Sequence, residues 1–153
     1  MRALPFALAF ALLVVSRPAF AIEQTTPQAG TSSPKTTAEL LSDLHSDDAP
    51  DRLYAARALK SQLTRALKVE SRAREGSIML DDARSVLVEL DARLPRICMD
   101  NLVVPAVSTT CAEMLALLGV EEARAAIEEL AQRETRKSHQ RRLARALLWL
   151  DAA

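Results

Sequence analysis

The chain has 153 residues, with 20 basic and 20 acidic side chains and a formal net charge of zero. Aromatic residues make up 3%, and all three Phe residues (Phe6, Phe10, Phe20) sit near the N-terminus, which leaves Tyr54 and Trp149 for everything beyond. So few aromatics argue against single-stranded nucleic acid or sugar recognition, because both lean on stacking platforms.

The first 21 residues read as an export signal. Arg2 supplies the positive start, and Ala3 to Val15 form an uncharged run broken only by Pro5. Ser16, Arg17 and Pro18 end that run, and Ala19-Phe20-Ala21 is a small-x-small cleavage site, so the mature chain is expected to begin at Ile22. The run falls short of the roughly 20 apolar residues that a membrane-spanning helix needs. No cysteine follows it, which argues against a lipoprotein anchor; the competing reading is an uncleaved anchor. Periplasmic or secreted localisation is the expectation, and export argues separately against DNA. Loss of Arg2 and Arg17 leaves 18 basic against 20 acidic residues in a mature chain of 132, the size of one domain.

Residues 22–35 are rich in Thr, Ser, Pro, Gln and Gly and bury too little apolar surface to order themselves, so they read as a flexible tether. Residues 36–153 read as a single all-α domain of about six helices, rich in Ala, Leu, Arg and Glu. No Asn-Gly or Asp-Gly turn and no sustained alternation points to strands. Thr36 and Glu39 form a capping box ahead of a stripe of Leu40, Leu41 and Leu44. Pro50 and Asp51 open a second helix whose stripe runs through Leu53, Ala56, Leu59 or Lys60, Leu63, Ala66 and Leu67, ending near Glu75 before Gly76. A third starts near Ser77 with Met79, Ala83, Val86, Leu87, Leu90, Leu94 and Ile97 in phase, and Pro95 predicts a break or kink. The fourth begins around Pro105, carries Val107, Cys111, Met114, Leu115 and Leu118, and stops at Gly119. The fifth spans about Glu121 to Arg133 and the sixth about Ser138 to Leu150.

Two stretches look alike. Residues 40–63 and 111–150 each have a Leu-bearing helix, a polar turn, then a helix ending in Arg-Ala-Leu (Arg57-Ala58-Leu59 and Arg145-Ala146-Leu147). This resembles the HEAT-repeat family, in particular its short, Ala-rich subgroup. The resemblance covers about half of the mature chain, and the spacing between Leu59 and Leu115 suits neither one such repeat nor two. It implies three antiparallel helix pairs stacked side by side and a scaffold that binds an unidentified protein partner; the alternative is an irregular helical bundle.

Chemistry is sparse. Cys98 and Cys111 are the only cysteines, and an even pair in an exported chain reads as a disulfide. A loop of that order is worth roughly 3 kcal/mol in the chain-entropy picture; the alternative is two buried free thiols. His45 stands near Asp47, Asp48 and Asp51, but acidic residues at a helix start serve as caps and dipole partners, so no metal is expected. Neither a Gly-x-Ser-x-Gly turn nor a Gly-rich phosphate loop occurs. The chain is therefore read as non-enzymatic and without a cofactor. The most distinctive surface is charge: Arg133, Arg136, Lys137, Arg141, Arg142 and Arg145 against Glu134 alone. That segment is the candidate docking edge for a partner protein or an anionic surface such as a polyanion or a membrane face; the plainer alternative is a solvated face with paired charges.

Overall fold

The computed structural model describes residues 34–152 apart from Arg74. The export signal and most of the tether thus lie outside the described residues. What is described is all-α: α1 (Thr37–Asp43), α2 (Ala49–Glu70), α3 (Ile78–Asn101), α4 (Ser108–Leu117), α5 (Arg124–Arg133) and α6 (Lys137–Asp151), with a 3-10 turn, Glu121–Ala123, before α5.

The helix starts follow local chemistry. The Thr36 hydroxyl accepts from the Glu39 N–H, and the Glu39 carboxylate accepts from the Thr36 N–H at 2.7 Å, so α1 opens on the expected capping box. The turn into α2 is held by Arg52, whose Nε donates to the Ser46 carbonyl at 2.8 Å. Asp48 is the N-cap of α2 and Asp51 stands in its first turn. Ser77 caps α3 by accepting from Leu80 N–H.

Four features depart from the sequence expectation, each for a physical reason. Helix α2 ends at Glu70, five residues before Glu75. Ala66 is the last fully buried position of α2, and no apolar side chain is fully buried again until Leu80; a helix without a buried stripe loses its tertiary support. Helix α3 runs unbroken through Pro95. Leu94, Ile97 and Cys98 are buried on either side and hold the axis, while Asp91, whose carbonyl loses its partner to the proline, is exposed. At the start of α3, Leu80 rather than Met79 faces inward; Met79 is 67% exposed. Helix α4 starts three residues after Pro105, because the chain first makes a turn in which Val107 and Ser108 both donate to the Val104 carbonyl.

Helix α4 is the centre of the fold. It packs against α2, α3 and α6, and every residue from Ser108 to Ala116 is buried. A helix covered all round cannot show one apolar stripe. Its end is a Schellman stop: Gly119 takes φ +68°, and the Val120 N–H reaches back to the Leu115 carbonyl at 3.0 Å. Among the described residues, no helix is long and apolar enough to cross a membrane.

Candidate anion-binding cleft

Burial of Ala56, Leu59, Leu63 and Ala66 turns the opposite edge of α2 outward. Arg57, Ser61, Thr64 and Lys68 recur there at four, three and four residues, flanked by Lys60 and Arg65. This edge forms one wall of a cleft of about 820 Å³. Arg136, His139 and Arg142, at the start of α6, form the facing wall, with Pro105, Ala106, Thr109 and Thr110 between them. Six lining side chains are cationic (Arg57, Lys60, Arg65, Lys68, Arg136, Arg142) and none is acidic.

Two carboxylates stand behind the walls, and both are engaged. The side chain of Glu113 is only 3% exposed on α4. It accepts from Lys60 Nζ at 2.6 Å and from Arg142 Nε at 3.0 Å, and Arg142 adds a bond to Thr110 Oγ1 at 3.2 Å. One buried acid thus ties α2, α4 and α6 together. Burial pushes its carboxyl upward, but the hydrogen bonds from Arg142 and Lys60 outweigh that, and the net shift is below the ordinary value.

Glu134, between α5 and α6, accepts from the Arg136 N–H at 2.9 Å and from its guanidinium at 3.0 and 2.8 Å. Those bonds, the guanidinium's first, hold its carboxyl down at about 2. A folded value below the ordinary ~4.3 means that this contribution to stability is present above ~4.3 and is lost as pH falls toward the folded value. An NMR titration of the Glu134 side-chain carboxyl is expected to show a midpoint near 2, and Arg136→Gln is expected to move it up toward the ordinary carboxylate range. An unshifted midpoint in the unaltered protein would break this reading of the turn.

The structure divides the basic segment expected from sequence. Arg136 and Arg142 line the cleft. Arg133 pairs with Glu129 on α5. Lys137, Arg141 and Arg145 follow one another at four-residue spacing on the exposed side of α6, and none forms an ion pair among the described residues. The four cleft cations of α2 lie outside the basic segment that the sequence marks as a docking edge, and their signal is the polar edge at helical spacing opposite the apolar stripe.

Cys98 on α3 and Cys111 on α4 are brought together as two buried free thiols. A hydrogen bond with Cys111, and then burial, pushes the Cys98 thiol up, so neither desolvation nor its neighbour favours a thiolate there. His45 is exposed in the turn before α2. Among the described residues, no three His, Cys, Asp or Glu side chains converge as a metal site.

His139 stands beside a hydroxyl and a carboxylate. Its Nδ1 lies 2.9 Å from Thr109 Oγ1 and 3.3 Å from Glu134 Oε2. A nucleophile relay needs the acid on one ring nitrogen and the hydroxyl on the other. Here both meet the same nitrogen, so the contact is positional: it ties α4 to the turn before α6 and fixes that wall of the cleft. No protein-family model, characterised protein or solved structure matched the chain.

Proposed function

We propose that this chain is an exported, non-catalytic binding module that takes an anionic partner in the cleft between α2 and α6. The observation that carries this reading is the sign of the cleft: six cations and no acid line it, in a protein whose overall charge is zero. Arg57, Arg65 and Lys68 have no ion-pair partner among the described residues, so their charge is not spent internally. Like charges gathered in a concavity focus the field and raise the local concentration of anions. The Arg-Ala-Leu likeness supports a HEAT-like scaffold of helix pairs, and the N-terminal pattern supports export.

The test is charge reversal. Arg57→Glu, Arg65→Glu and Lys68→Glu change exposed positions and are expected to leave folding intact. Together they are expected to weaken binding of a poly-glutamate chain by about 100-fold at low salt, roughly tenfold for each charge reversed in the first two and less for the third. The unaltered protein is expected to lose affinity steadily as salt rises. A second reading rests on Lys137, Arg141 and Arg145 beside Leu148, which is 65% exposed: an outer face that touches anionic membrane. On the second reading, reversing those three charges would abolish binding to anionic vesicles; on the first, it would leave poly-glutamate binding within about threefold.

The bridge between Cys98 and Cys111 belongs to the same proposal, because export places two adjacent thiols in an oxidising compartment. Protein collected after export and denatured without reductant is expected to take up no alkylating agent, and to take up two equivalents after reduction. Equal alkylation under both conditions would count the bridge out.

A further inference from the structure

Resting on that anionic-cleft reading, we infer that the occupant is an extended, acidic polypeptide segment of a partner protein that carries aliphatic as well as carboxylate side chains. The walls hold more than charge. Leu53, Pro105 and Ala106 offer apolar surface in the same cleft as the cations, with Pro105 and Ala106 exposed. A purely charged polymer gains nothing from that surface.

Dimensions agree with a peptide. From Leu53 to Lys68, α2 rises about 22 Å, the length of roughly seven extended residues at ~3.3 Å each. Cations three or four residues apart on a helix edge sit about 5–6 Å apart, close to the roughly 6.6 Å between side chains on one face of an extended strand. Hydroxyls from Ser61 and Thr64 stand between them and suit main-chain amides.

Other polyanions fit less well. The only aromatic ring among the lining residues is the His139 imidazole, which is engaged with Thr109 and Glu134, so the cleft offers nucleobases no Phe, Tyr or Trp platform. Tyr54 lies instead under the Lys35 ammonium, 5.8 Å from ring centre to nitrogen. A bilayer surface meets the rims but not Thr109 and Thr110, which are 3% and 6% exposed.

The experiment is fluorescence anisotropy with the purified protein and four probes at low salt: a labelled seven-residue peptide alternating Glu and Leu, labelled hepta-glutamate, inorganic polyphosphate and phosphatidylglycerol vesicles, the last two as competitors. The mixed peptide is expected to bind about tenfold more tightly than hepta-glutamate despite carrying fewer charges, the gain that seating an aliphatic side chain supplies. Ala106→Asp, at an exposed position, is expected to remove that preference. If hepta-glutamate or polyphosphate binds as well as the mixed peptide or better, the inference of a mixed acidic and aliphatic segment falls and the anionic cleft stands. If vesicles alone bind, or nothing does, both fall.

Discussion

Leu115→Ala is expected to remove about 3–5 kcal/mol of stability. Leu115 is 0% exposed and lies on α4, which is covered by α2, α3 and α6 together. Deleting a fully buried leucine forfeits its transfer energy and leaves a cavity whose lining cannot collapse freely; in comparable cores this costs about 2–5 kcal/mol. Here three helices and the Val120 cap on the Leu115 carbonyl hold the site open, which places the cost in the upper part of that range. A domain of this size is stable by only about 5–15 kcal/mol, so the urea midpoint should fall by about a fifth or more. The control is Leu148→Ala on α6, where the side chain is 65% exposed and the change should stay within about 0.5 kcal/mol. Equal effects at the two positions would mean that α4 is not the centre of the core.

Glu113→Ala is expected to cost about 2–3 kcal/mol near neutral pH, while Glu113→Gln tightens anion binding. The carboxylate is 3% exposed, whereas its partners Lys60 and Arg142 are 31% and 35% exposed. Removing one member of a fully buried pair costs about 3–5 kcal/mol. The two cations reach water in part, and solvent screening reduces the penalty. The carboxyl lies below its ordinary value in the folded state, so its stabilisation holds above ~4.3 and fades as pH falls toward the folded value. The gap between the unaltered protein and the variant should therefore narrow in acid. Binding moves the other way. With the internal counter-charge gone, Lys60 and Arg142 are free for a ligand, and affinity for poly-glutamate should rise about three- to tenfold for Glu113→Gln. Thermal melts and binding isotherms on the same preparation check both signs. A variant that is less stable and also binds more weakly would show Glu113 to be purely structural.

What the sequence revealed and what it hid follow from the range of each interaction. Local chemistry was readable: the Thr36–Glu39 box, the Ser77 cap and the Gly119 stop each involve residues within a few positions of one another. Tertiary support was not. Pro95 forecasts a break, but the helix survives because Leu94, Ile97 and Cys98 are gripped by neighbours that no local window contains. The phase at the start of α3 turned on a choice between adjacent apolar residues, Met79 and Leu80, which only the packed partner decides. Lys60 was equivocal between core and surface, and it proves to be both: a half-buried stem whose ammonium meets Glu113 from 53 positions away. The cleft failed to emerge for the same reason. Its cations come from residues 57–68 and 136–142, and only the second group forms a dense run in the chain.

Amide NMR mapping with a poly-glutamate titrant tests the central claim most directly, because it locates the bound anion without altering any residue. The account predicts that perturbed resonances gather in residues 57–68, 105–110 and 136–142, including Thr109 and Thr110 deep in the cleft. Shifts confined to Lys137, Arg141 and Arg145 on the outer face of α6, with Arg57, Arg65 and Thr109 unmoved, would contradict it.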